Sequence, residues 1–350
     1  MKKCISVVCV FFCAVVGLSA LEINRGLTIS SWGEAGFWPF IKESGGNAGM
    51  GIGPSYAEGA AFGLIVYANA GKAGGKFDLR AHPVSGVVMT DSLYAWVQPI
   101  DMVKLTVGRW IDYTISSMDS GSLWLDWGAQ YQQEVIFKRF IVEEYGAMLS
   151  ITPPIKGLYA QWQVNAGANT QNWDWSNATP YAASLKSSQA AIVYTKDGLG
   201  RVRYQYVGDA EPSKTFSQVS VQFFGMRGLT IDAGLTIPHT FERDEVNEDN
   251  VIKAGFNTQF NIGALTINEG FRIEDREDGL YWGLVFTPKW NFGKFTVGGD
   301  LGFRMTGDFT EFAIAPTFEL PVGLGKLKTG VVYMQAVEYY RVAIPVWWTF

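Results

Sequence analysis

Cysteine is nearly missing from this chain: there are three in 350 residues, Cys4, Cys9 and Cys13, all close to the start. Residues 1–20 read as a cleaved secretory signal peptide. Met1-Lys2-Lys3 is basic, residues 4–18 form an uncharged apolar run, and Ser19-Ala20 supplies small residues before Leu21-Glu22. Leu18 is large for the third position before a cut, so the cleavage point is open by a few residues. Lipidation would need a cysteine behind small residues, but Cys13 follows Phe11-Phe12 and Cys9 follows Val7-Val8. The mature part, read as one domain over 21–350, then has no thiol. That excludes disulfides, zinc–thiolate sites and cysteine nucleophiles.

Other shortages narrow the function. Only two histidines occur, His82 and His239. No phosphate-binding glycine loop, histidine cluster for a metal or nucleophile motif is found, so no cofactor or metal and no catalytic residue is expected. After the first twenty residues no segment approaches the roughly 20 apolar residues of a spanning helix. Charged residues make up 17%, low for a soluble domain. Without Lys2 and Lys3 the 28 basic residues become 26 against 33 acidic ones, a formal charge of −7. That balance argues against nucleic acid as a partner.

What the chain does have is 40 glycines, 15% aromatics and an apolar residue at every second position through much of its length. Val219, Val221 and Phe223 alternate with Gln218, Ser220 and Gln222. Leu229, Ile231, Ala233, Leu235 and Ile237 alternate with Thr230, Asp232, Gly234 and Thr236. Strand side chains point to opposite faces in turn, so each segment has one apolar and one polar face. Strands are expected near 22–32, 58–69, 76–82, 86–98, 101–110, 137–152, 157–166, 188–195, 201–208, 215–224, 229–237, 251–262, 264–273, 280–289, 294–304, 309–319, 327–337 and 340–350. That makes eighteen, or sixteen without the 58–82 hairpin. Short Gly-, Pro- and Asn-rich turns separate them at 99–101, 153–157, 196–200, 225–228, 291–293 and 321–325. Longer connections occupy 33–57, 111–134, 167–187, 238–250 and 274–279. The expectation is an all-β transmembrane antiparallel up-and-down barrel of 16–18 strands. Its short turns would be periplasmic and its long loops extracellular.

In the last strand Tyr340, Val342, Ile344, Val346, Trp348 and Phe350 fall on one face. This resembles the C-terminal signal that the assembly machinery of bacterial outer-membrane barrels reads. Pro345 departs from an ideal strand and needs a bulge or the closing seam. Residues 90–112 look like the early hairpin of bacterial porins. The resemblance, to general porins with no subfamily identified, implies an integral outer-membrane barrel, a possible homotrimer, contact with outer-membrane lipids and passage of small hydrophilic solutes.

In general porins a loop at the place of 111–134 folds inward. Here it carries Asp112, Asp119, Asp126, Trp124 and Trp127 as constriction candidates; the other reading is an exposed loop with interfacial tryptophans. Lys104, Arg201, Arg203, Asp232, Lys253, Arg272, Asp300, Arg304, Glu311, Glu319 and Arg341 lie on polar faces. A lipid-facing Arg or Lys costs about 2–4 kcal/mol, so these charges are expected to line the lumen. Glu269 shares the register of Leu265, Ile267 and Phe271, which leaves a rim, a bulge or a subunit contact. Acidic stretches 241–250 and 274–278 suggest a cation-favouring rim; neither matches a calcium loop. The expected function is a water-filled channel, not an enzyme. A surface adhesin acting through its loops is the alternative. A barrel hydrolase built on His239, near Asp232 and Asp244, is a third reading.

Overall fold

The computed structural model describes residues 21–24, 26–52, 60–82, 87–112, 123–125, 140–166, 188–209, 214–240, 251–276, 279–306 and 309–349. Residues 1–20, Asp119, Asp126, Trp127, Phe350 and the acidic stretch 241–250 lie outside these, as do the side chains of His82 and Asp112.

The chain forms twenty-one strand segments among the described residues: β1 (Leu21–Asn24), β2 (Leu27–Glu43), β3 (Gly49–Ile52), β4 (Ala60–Asn69), β5 (Ala73–His82), β6 (Val87–Ile100), β7 (Val103–Asp112), β8 (Phe140–Ile151), β9 (Leu158–Ala166), β10 (Gln189–Lys196), β11 (Gly200–Val207), β12 (Phe216–Met226), β13 (Leu229–Pro238), β14 (Lys253–Ile262), β15 (Leu265–Arg276), β16 (Gly279–Asn291), β17 (Thr296–Thr306), β18 (Phe309–Val322), β19 (Gly325–Gly330), β20 (Val332–Ala336) and β21 (Tyr339–Thr349). Neighbours pair antiparallel from β4 to β18, and β2 pairs with both β4 and β21, which closes the sheet. β19 and β20 are two halves of one wall strand between β18 and β21. β1 and β3 lie along the edges of the long β2. The result is a closed antiparallel up-and-down barrel of eighteen strands. Among the described residues no helix is long and apolar enough to cross a membrane; a barrel crosses with its strands.

The wall is inside-out relative to a soluble protein. On β12 Val219 and Val221 are exposed while Gln218 and Ser220, which alternate with them, are buried. On β13 Leu235 and Ile237 are exposed and Asp232 and Thr236 are buried; on β17 Val297 and Leu301 are exposed and Asp300 is buried. In a soluble sandwich the apolar face would be covered by a second sheet. Here one sheet closes on itself, with the apolar faces outward and the polar faces inward.

The last strand follows the expected register. Its Val342 and Ile344 align with Tyr333 of β20 and Phe40 of β2, and Val346 and Trp348 with Phe37 and Ala35 of β2. Pro345 sits at the seam and at a bulge. The ladder to β19 ends at Val346, that to β20 resumes at Ala343, and the β2 side shifts register between Phe37 and Phe40. A residue without an N–H is accommodated where neither neighbour asks for one.

Two connections differ from expectation. The loop expected at 33–57 is largely strand, because β2 runs on to Glu43 against the closing strand β21, with β3 folded back on its other edge. Of the loop expected at 274–279, residues 274–276 belong to β15 and Gly279 to β16, and Glu274 is buried on the inner face between Arg272 and Arg276. Ion pairing removes the repulsion that suggested an acidic turn. The rim that carries the long loops also has the short connections 307–308 and 337–338, so it is uneven.

Glu269 lies in uninterrupted register, opposite Thr258 and Phe286 on the outer face. It is at neither a rim nor a bulge. Its carboxylate accepts a hydrogen bond from Thr258 Oγ1 at 3.2 Å. Arg109 pairs with the exposed Leu93 and faces outward too, beside the bulge at Gly108. Gly108 has φ 133°, and an added Cβ would lie 2.2 Å from the Leu93 carbonyl oxygen, so no other residue fits that step.

Candidate solute channel and its constriction

Residues 123–125 mark how far the 111–134 loop travels. β7, from which the loop departs, is separated from β17 by seven wall strands in one direction and nine in the other, by the strand pairings. Yet the Leu123 N–H donates to both carboxylate oxygens of Asp300 on β17, at 2.8 and 2.9 Å. The N–H groups of Trp124 and Leu125 donate to Asp300 Oδ2 at 2.5 and 2.9 Å. Thr287 Oγ1 donates to Asp300 Oδ1 at 2.7 Å. An acceptor-only carboxylate with four lone-pair sites suits such a cluster of donors.

The opposite polarity is supplied by Lys328 on β19. Its ammonium donates to the Leu123 carbonyl at 2.5 Å and lies over the rings of Trp124 (4.1 Å) and Trp347 (4.8 Å). Trp124 packs between Trp38 of β2 and Trp347 of β21, with ring centroids 6.4 and 6.2 Å apart. Leu125 is buried against Ala313, Ala315 and Val332. The loop therefore reaches the far inner wall and is fastened there by a carboxylate, an ammonium and an apolar socket. Of the loop residues singled out from sequence, Trp124 is in this contact. Lys328, Trp38 and Trp347 were missed; Lys328 and Trp347 lie on the polar faces of their strands, which is the signal that points to them.

The other polar-face charges also face inward. Arg203 donates to Asp232, both wholly inaccessible, and to Ser220 Oγ at 2.7 Å. Arg304 pairs with Glu311, Arg341 with Glu43 at 2.6 Å, and Lys326 with Glu319 at 3.3 Å. Arg272 and Arg276 flank Glu274 and stack over Tyr281 at 5.2 and 4.5 Å. Lys104 lies over Trp96 at 5.8 Å. Arg201 aligns with Gln222 on the rung that continues to Asp232, and Lys253 with Thr236 and Glu274. Alternating signs across neighbouring strands let these charges share an interior that none could enter alone.

His239 is not beside Asp232, which points inward and is engaged by Arg203. It sits on the outer face, with Nε2 2.8 Å from Ser217 Oγ and its ring 5.5 Å from Tyr206. Tyr204 OH lies 3.1 Å from the same hydroxyl. Among the described residues no group of three His, Cys, Asp or Glu side chains is placed to hold a metal.

No protein-family model matches the sequence, and no curated protein matches it. Solved structures do. Pseudomonas aeruginosa OccK11 (OpdR) aligns over 95% of this chain and 98% of its own, at 9% identity and TM-score 0.61. Pseudomonas aeruginosa OpdL aligns over 93% and 98%, at 10% identity and TM-score 0.56. A triple mutant of the Rhodopseudomonas blastica porin aligns over 92% and 100%, at 10% identity and TM-score 0.51.

The fold is a porin fold. At such identities the likeness reaches the backbone and the closed wall alone.

Proposed function

We propose that the protein is an outer-membrane porin: a water-filled channel for passive diffusion of small hydrophilic solutes, narrowed by the loop between β7 and β8. The carrying observation is the grip of Asp300 on residues 123–125, which takes that loop across the lumen instead of over its mouth. An eighteen-strand wall is wide enough for a channel, and an outer face of exposed aliphatic and aromatic residues suits a bilayer. Wall charges that occur as cross-strand pairs contribute little net field. A mild cation preference would then come from the acidic 241–250 loop and the −7 balance of the mature chain. The signal peptide, delivery by the barrel assembly machinery and a trimeric state belong to the same proposal.

Hydrolysis is not part of it. The Ser217–His239 contact is set on the exposed outer wall, and among the described residues no carboxylate orients the imidazole. Purified protein in a planar bilayer should give stepwise conductance. A folded barrel that passes no current would refute the channel.

A further inference from the structure

The outer wall has a hollow over β16, β17 and β18. Gly299 on β17 lies on the outer face and aligns with Pro316 on β18, and the register shared by β16 and β17 brings Pro288 level with it. Neither a glycine nor a proline ring stands far out from a sheet. The rows on either side are taller: Leu265, Trp290, Val297 and Phe318 on one, Phe286, Leu301 and Ile314 on the other. Trp290, Val297, Leu301 and Ile314 are all exposed. The hollow between these rows has a volume of about 390 Å³, within the roughly 300–1,000 Å³ of small-ligand pockets.

Toward the short-turn rim the same strands change character in two steps. Trp290, Phe292, Phe295 and Phe318 form a chain of ring contacts, with successive centroids 6.1, 5.0 and 5.4 Å apart, as in the aromatic band at a membrane interface. Beyond them, in the turn between β16 and β17, is Lys294, exposed and with no ion pair among the described residues. It lies five residues from Gly299, or about 17 Å at about 3.4 Å per residue. That is close to the roughly 15 Å half-thickness of a hydrocarbon core. Hollow, aromatic band and cation follow one another in the order in which a phospholipid places its acyl chain, glycerol ester and phosphate.

We propose that this face holds one phospholipid, with its phosphate at Lys294 and an acyl chain in the hollow over Gly299. The inference goes beyond the channel reading and does not depend on conduction. A void left against the wall would forfeit dispersion contacts, and an acyl chain running past Val297 fills it. A second copy of the chain fits less well. Copies in one membrane share an up–down direction. A neighbour's Glu269, the outer-face carboxylate level with Phe286 and Leu301, would therefore stay deep in the wall and could not reach Lys294. A lipid phosphate brings the opposite charge at the depth of the turn.

The test is native mass spectrometry of the detergent-solubilised barrel, titrated with dioleoyl phosphatidylglycerol. The wild type should show a saturable adduct of one lipid. Ile314→Trp, which fills the hollow from its edge, should weaken that adduct roughly ten-fold, since losing the burial of only about two methylene groups has that effect. Lys294→Gln, a change in an exposed turn that leaves assembly intact, should weaken it about five-fold, the loss of one lysine's attraction to an anionic lipid. Ile192→Trp, at an exposed outer-face position on β10, should leave the adduct unchanged. No saturable adduct in wild type, or equal affinity in wild type, Ile314→Trp and Lys294→Gln, would overturn the lipid site and leave the channel standing. Loss of an oligomer peak in Ile314→Trp would assign the hollow to a second copy and overturn the lipid site equally.

Discussion

Asp300 and Leu123 lie 177 positions apart in the chain and are joined by two hydrogen bonds of 2.8 and 2.9 Å. One carboxylate thus decides where a loop from the other side of the barrel comes to rest.

Asp300→Ala should free that loop. Three backbone N–H groups would lose their acceptor, at about 1–3 kcal/mol for each that stays buried. The expected result is a higher and noisier single-channel conductance in a barrel that still assembles. Lys328→Met should do the same to a smaller extent, since it removes one hydrogen bond and two ring contacts. It should also move the reversal potential toward cations. Unchanged conductance in both variants would show that the loop does not set the constriction.

The Arg203–Asp232 pair makes a stability prediction. Both side chains are inaccessible. Removing one partner leaves the other buried and uncompensated, so Arg203→Met or Asp232→Leu alone should cost about 3–5 kcal/mol. The double replacement should cost less than the sum. Urea unfolding of the detergent-solubilised barrel, read by its mobility shift on gels, provides the double-mutant cycle; strict additivity would deny the coupling.

Glu269 is a carboxylate on the outer wall beside Thr258 and Phe286. In lipid such a group is unfavourable, though by less than the roughly 2–4 kcal/mol of a lysine or arginine. Glu269→Leu should therefore raise the unfolding midpoint of the barrel in lipid vesicles. A lowered midpoint, accompanied by loss of an oligomer band, would instead place Glu269 in a subunit contact.

Labelling tests the two faces of the wall directly. The chain has no cysteine beyond Cys13, so single replacements report cleanly. In vesicles Gln222→Cys should react with a charged, water-soluble maleimide. Val221→Cys, exposed on the outer face, should react only with a lipid-soluble one. Equal reactivity of both positions would contradict the inside-out wall.

Most of the wall was legible in the sequence because alternation is a local property. Val219 and Gln218 must point to opposite faces of a strand wherever the strand goes. Charges such as Asp232 and Arg304 could be assigned inward because of the penalty for the alternative. Boundaries failed where long-range pairing overrode local appearance. Glu274 sat in a run that looked like an acidic turn, and its alignment with Lys253 on β14 and Tyr281 on β16 makes it a wall residue. β2 continues through Phe37 and Phe40 because the last strand supplies its partners, a contact across almost the whole chain.

The sequence by itself determined the class of fold and the face each strand residue takes, both of which follow from a period of two and short turns. Only the tertiary structure decided which wall holds the loop tip and which charges pair. Those outcomes depend on barrel closure, which brings together residues that no local pattern relates.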